Sequence, residues 1–297
     1  MGEPITFFNR DTMRIETEAI YGEGFLRWAY EQPAGRAMTW LLVKRALFSH
    51  WYGWRMNRAA SRSKIAPFIA QYGVSPDEML EAPESFTSFN AFFSRKLKPD
   101  ARPIVADENV VTFPADGRHF VIPDLSTNDG IFIKGIRFDV AALLGDAVLA
   151  KKFSRGAMLI SRLCPVDYHR FHFPCGGVAD EARLINGPLY SVNPIALRQR
   201  PTIFWENKRY ITRVQSQHCG EVLLLEVGAT CVGRVVHTQP AGEVNKGAEK
   251  GFFLFGGSCF ITIFEPERVR FSDDLREHSA QQREVYARMG ESVARKI

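Results

Sequence analysis

At 297 residues and 45% hydrophobic composition, the chain is long enough for one large domain, or a domain with a substantial extension, around a real core. Its net charge of +5 calls for an anionic partner without separating nucleic acid from an anionic membrane. Five cysteines (Cys164, Cys175, Cys219, Cys231 and Cys259), odd in number and without a C-x-x-C pair, argue against a disulfide framework and a zinc ribbon, so a reducing compartment is expected.

The amino terminus, MGEPITFFNRD, lacks a basic start followed by an apolar stretch, so no secretory signal is expected. No run approaches the roughly 18 apolar residues of a membrane span. MGEPIT fits the short myristoylation pattern, which arises easily by chance.

From Ile15 to about Lys98 the periodicity predicts three to five helices: GFLRWAYEQ, AMTWLLVKRALFSHWYGWRM, SKIAPFIAQYG and SFNAFFSRKL. Between Arg27 and Lys64 stand eight basic residues against one acid, Glu31, together with four of the five tryptophans. Such a segment suits helices lying in a membrane interface, with Trp51 and Trp54 among acyl chains and Arg55, Arg58 and Arg62 facing anionic headgroups. The plainer alternative is that the aromatics pack these helices onto the rest of the protein. Single-stranded nucleic acid also uses aromatics with positive charge, but no nucleic-acid motif follows and no nucleic-acid partner is expected.

After Pro103 the period shifts towards two, with turn signals at short intervals and one short helix near Val140–Leu144. The charged end, from Ser272, reads as a surface tail or short helix. The expected fold class is α+β, with a helical, basic, Trp-rich membrane-associating region (1–100) packed on a β-rich catalytic domain (101–297).

Reactive groups concentrate at Pro114-Ala115-Asp116-Gly117, at Pro165-Val166-Asp167-Tyr168-His169-Arg170-Phe171-His172 and at Gly257-Ser258. Together they supply acids, two imidazoles and a hydroxyl, and a serine becomes a competent nucleophile only when a base takes its proton. Each element also has a plain reading. Asp116-Gly117 between apolar runs makes a good hairpin turn, and the histidines can be ordinary buried imidazoles. On an extended segment His169 and His172 point to opposite faces, so they are expected to have different jobs. A zinc site from His169, His172, Cys175 and Asp167 matches no closed ligand spacing, and no metal is expected. A G-x-S-x-G elbow is absent, because Cys259 and Phe260 follow Ser258.

The glycine pair before Ser258 interrupts the apolar run KGFFLFGGSCFITIF, where glycine weakens a strand unless the backbone needs an unusual conformation. The motifs AFFSRKLKPDARPI, PADGR, PVDYHRFHFPCG, GATCVGR and KGAEKGFFLFGGS, in this order, resemble the phosphatidylserine decarboxylases, a pyruvoyl-dependent enzyme family. Cys259 stands where the family usually has Thr or Ser.

The resemblance implies self-cleavage between Gly257 and Ser258 into a beta chain (1–257) and an alpha chain (258–297) that remain associated. Ser258 becomes the covalent pyruvoyl cofactor and Schiff-base site, and phosphatidylserine is decarboxylated to phosphatidylethanolamine, with no metal or diffusible cofactor. It implies that Asp116 and His172 form the relay deprotonating Ser258, that His169 serves decarboxylation, and that Asp167 supports His169. It further implies a peripheral protein on the cytoplasmic face of the cell membrane, with phosphatidylserine and the anionic membrane surface as partners; a homo-oligomer is compatible with it. Two other classes stay open: a phosphocarrier-like β domain phosphorylated on histidine, and an inactive membrane-binding homologue.

Overall fold

The computed structural model describes residues 4–127, 138–230, 235–256 and 258–297. Gly257 of the expected cleavage site, and residues 231–234 of the GATCVGR motif, lie outside the described residues.

Alternating apolar residues after Pro103 build nine strands of a sheet that has eleven among the described residues. Its central strand, Ser258–Phe264, runs antiparallel between Gly220–Val227 and Ala157–Leu163, and every residue of it is buried. The two-residue period sends Cys259, Ile261 and Ile263 into one apolar cluster and Phe260 and Phe264 into another, so both faces of the sheet are covered. Two three-stranded sheets accompany it among the described residues. One joins Val235–His237, Glu249–Phe253 and Arg170–His172; the other joins Val269–Phe271, Ser292–Lys296 and Val110–Thr112.

The first hundred residues contain five α-helices among the described residues, at Glu23–Glu31, Pro33–Met38, Ala46–Asn57, Ile65–Tyr72 and Phe89–Phe93. They are not wholly helical. Thr6–Asn9 and Arg14–Thr17 form a hairpin, and Thr6–Asn9 pairs parallel with Glu284–Ala287, adding two strands to the large sheet. Of the two readings of the chain's end, the short helix forms, at Asp273–Ala280, and two strands follow it, Glu284–Ala287 in the large sheet and Ser292–Lys296 in a small one. The short helix Val140–Leu144 forms as expected, capped by the Asp139 carboxylate accepting from Ala142 N–H.

Helices and sheet meet at a third apolar cluster of Met56, Ile65, Phe68, Phe89, Phe92 and Phe93 around Phe255. The Phe255 ring lies 5.0 Å from Phe93, 5.1 Å from Phe89 and 5.7 Å from Tyr52. Its N–H donates to Asn90 Oδ1 at 2.9 Å. The helical region therefore grips the chain three residues before Ser258.

Candidate active site

Ser258 opens the central strand opposite Leu163 and is wholly buried. The chain reaches it from the strand Glu249–Phe253, which belongs to a different sheet, through Phe255 and Gly256. Gly256 takes a φ of 139°, a region that disfavours side chains, and this accounts for one of the two glycines at the crossover.

His169 precedes the strand Arg170–His172 and continues its ladder, its carbonyl accepting from Phe253 N–H. Its Nδ1 lies 3.3 Å from Ser258 Oγ and its Nε2 2.8 Å from the Cys164 carbonyl, while the Phe93 ring stacks on it at 3.8 Å. Burial, reinforced by the positive charge of Arg95, pushes the imidazole pKa down to about 3. The ring is therefore neutral and carries one N–H. A carbonyl can only accept, so that hydrogen sits on Nε2 and the Nδ1 lone pair faces the serine hydroxyl, as a general base requires.

Asp167 supports this arrangement through the backbone. Its carboxylate accepts from Cys164 N–H at 2.6 Å and from Arg118 Nη1 at 2.6 Å. The Cys164 carbonyl in turn accepts from Asp167 N–H and from His169. Burial raises the Asp167 pKa against the opposing pull of Arg118.

His172 is held at a different partner. Its Nδ1 lies 3.0 Å from the Gly247 carbonyl, which places its hydrogen there, and its buried Nε2 has no partner among the described residues. Burial lowers its pKa. Asp116 is held by Arg102 at 2.6 Å and by Met289 N–H at 2.9 Å. No hydrogen bond joins Asp116 to His172, or either to Ser258, among the described residues. Asp116-Gly117 is also no hairpin turn. Val110–Thr112 and Gly117–Ile122 belong to different sheets, and a Cβ on Gly117 would meet the Arg162 carbonyl at 2.6 Å, so glycine there permits close strand approach.

A mainly apolar cavity of about 400 Å³ reaches Cys164, Phe255 and Gly256 from an outer end lined by Phe25, Phe48 and Trp51. Its deep polar wall is Glu18 with Arg162. Burial alone would raise the Glu18 pKa, yet Arg162 and Arg118 hold it down to about 2. Of the residues expected at a membrane, Trp51 and Trp54 are about half exposed, with Arg55 over one ring at 5.1 Å and Arg58 over the other at 4.4 Å. Arg62 instead donates to the Glu84 carbonyl. No helix among the described residues is long and apolar enough to cross a membrane, and no cluster of three metal-ligating side chains occurs among them.

Sequence reasoning passed over Arg95, Arg102 and Arg118, although all three stand inside the motifs AFFSRKLKPDARPI and PADGR.

Residues 89–295 match the family model described as phosphatidylserine decarboxylase. A phosphatidylserine decarboxylase proenzyme of Clostridium kluyveri is 43% identical over 290 residues, covering 97% of this chain and 98% of that one. Proenzymes of the same name from Chlamydia trachomatis and Clostridium novyi are 42% identical over 292 residues and 41% identical over 294, covering 98% and 99% of this chain and 97% and 100% of theirs.

Proposed function

The chain belongs to the phosphatidylserine decarboxylase family and is a carboxy-lyase; from that premise we propose that it matures by self-cleavage at Gly257-Ser258, with His169 as the base. The observation that carries this is the bare Nδ1 of a neutral imidazole 3.3 Å from the buried Ser258 hydroxyl. Ser258 Oγ attacks the Gly257 carbonyl carbon and its proton passes to His169 Nδ1. The peptide bond becomes an ester as the Ser258 nitrogen takes up a proton. Loss of the Cα proton then expels the Gly257 carboxylate from Cβ. The resulting enamine tautomerises to an imine, and water replaces its nitrogen, which leaves as ammonia. The pyruvoyl group so formed from Ser258 supplies a ketone that binds the substrate amine and accepts the electrons left when carbon dioxide departs.

The chain's own residues hold that centre among apolar side chains. Leu163, Phe255 and Phe93 surround it, Asp167 and Cys164 fix His169, and Arg162 with Glu18 puts a buried ion pair in the wall of the cavity through which water and substrate reach it. After cleavage, the strand Ser258–Phe264 remains hydrogen-bonded on both edges, which supports lasting association of the two chains. The cavity's aromatic mouth supports phosphatidylserine as substrate, its acyl chains lying towards Trp51 and its headgroup towards Gly256. The exposed Trp51 and Trp54 with Arg55 and Arg58 support peripheral attachment to an anionic membrane, assigned to the cytoplasmic face of the cell membrane.

A second reading keeps Asp116 and His172 as the cleavage relay and reserves His169 for decarboxylation. It is favoured by the unpartnered His172 Nε2, a lone pair available to a proton. Intact-mass spectrometry of the purified wild type, Ser258→Ala, His169→Ala and His172→Ala decides between them. Two fragments in the wild type, the smaller a 40-residue piece headed by a ketone, with one full-length mass in Ser258→Ala, are expected. Loss of cleavage in His169→Ala alone is the result expected of a His169 base; loss in His172→Ala alone gives the step to the Asp116–His172 relay. A single full-length mass for the wild type overturns self-cleavage.

A further inference from the structure

A second cavity, of about 450 Å³, is lined by Val166, Asp167 and Tyr168, and not by Phe255, Gly256 or Ser258. Its wall is charged, and most of the charges are matched in place. Arg102 lies 2.6 Å from Asp116 and 3.0 Å from Glu78, Arg118 lies 2.6 Å from Asp167, and Arg288 lies 2.7 Å from Asp11.

One cation and one anion are left over. Arg95 is 5% exposed, and its Nη2 rests on the Asp167 carbonyl at 3.3 Å. Its Nε and Nη1 have no partner, and no carboxylate lies within ion-pairing distance of it among the described residues. Glu16 has no cation within that distance either; its oxygens accept from Asn9 at 3.0 Å and Thr12 at 2.6 Å. A buried guanidinium with idle donors is costly unless something polar meets it. Burial lowers the Arg95 pKa only to about 10, so it keeps its charge at neutral pH.

We propose that this cavity binds a small zwitterion, with an oxyanion on Arg95 and an ammonium on Glu16, the chemistry shared by free amino acids and aminophospholipid headgroups. A simple anion would satisfy Arg95 but would leave Glu16 without a paired cation in a wall where five carboxylates face four guanidiniums. The cavity shares Asp167 and Asp116 with the surroundings of Ser258 but is not lined by Ser258 itself, so it is tested on the uncleaved full-length Ser258→Ala protein, where failure of self-cleavage has no bearing.

Isothermal titration with glycerophosphoserine, L-serine, inorganic phosphate and ethylammonium is the experiment. At least one zwitterion binds saturably at one site, and phosphate and ethylammonium bind at least tenfold more weakly. Glycerophosphoserine alone assigns the site to a lipid headgroup, and L-serine alone to a free amino acid. Arg95→Met abolishes binding, whereas Glu16→Gln, at a half-buried position, erases the preference for zwitterion over phosphate. Should Arg95→Met lose cooperative melting, Glu16→Gln carries the test. No binding of either zwitterion, phosphate bound as tightly as both, or unchanged discrimination in Glu16→Gln overturns the proposal.

Discussion

A single carbonyl, that of Cys164, decides which nitrogen of His169 is free to accept a proton, and Asp167 decides where that carbonyl points. Asp167→Asn keeps the size of the side chain but leaves Arg118 with only Glu18, at 3.8 Å, as a charged partner, a loss of charge-assisted hydrogen bonding that costs roughly 2 kcal/mol. The variant is expected to unfold at lower denaturant and to self-cleave about tenfold more slowly, a rate loss of about 1.4 kcal/mol. A gel time course beside a urea melt checks both, and an unchanged cleavage rate would detach Asp167 from His169. Cys259 behaves differently. Strand alternation turns it from Ser258 into the apolar cluster with Ile261 and Ile263, and burial pushes its thiol pKa up. Cys259→Thr is expected to mature no faster than the parent and to lose about 1–3 kcal/mol, because the added hydroxyl enters apolar surroundings. Faster cleavage in that variant would contradict the geometry.

At the scale of elements, the helix Ala46–Asn57 does two things at once. Its buried side supplies Met56 to the cluster around Phe255, and its outer side presents Trp51 and Trp54 beneath Arg55 and Arg58. Arg62 is occupied at the Glu84 carbonyl, so the clean test reverses only Arg55 and Arg58. Arg55→Glu with Arg58→Glu should lower partitioning onto anionic vesicles by more than tenfold, at about 1 kcal/mol per lost basic residue plus new repulsion, with cleavage intact; equal sedimentation of variant and parent with vesicles would refute a docking role. The helices were legible because a 3.6-residue apolar period needs no knowledge of the partner, and the central strand because its run is mainly apolar and β-branched or aromatic. The hairpin Thr6–Thr17 and the strand Glu284–Ala287 were not. They are four residues long and stabilise one another across nearly the whole sequence, so no local pattern announces them. At the site, the motifs placed Ser258, His169, His172, Asp116 and Asp167 in view, but which imidazole faces the serine depends on the fold of the Cys164–His169 turn. Spacing alone gave only the opposite directions of the two histidines.

For the whole molecule, the buried imidazoles set a direction for stability against pH. His119 and His169 are both pushed down to about 3 by burial, and His172 is lowered as well. An unfolded chain binds protons at His119 and His169 below about pH 6.5, whereas the folded protein refuses them until about pH 3. The unfolded state therefore holds more protons throughout that window, and stability rises with pH across it and is lost as pH falls. Each fully refused proton is worth about 1.4 kcal/mol per pH unit, and because the unfolded histidine is half protonated at pH 6.5, His119 and His169 together account for roughly 3 kcal/mol between pH 6.5 and 5. Glu18, held at about 2, adds to the same trend only below the ordinary carboxylate range. Ser258→Ala protein, kept as one covalent chain, should accordingly melt several degrees lower at pH 5 than at pH 7.5. The slope should diminish when His169 is replaced by Gln, a residue of similar reach that takes up no proton in either state. A melting temperature flat between those pH values would mean that water or rearrangement lets the imidazoles charge inside the fold, and the neutral base beside Ser258 would lose its physical ground.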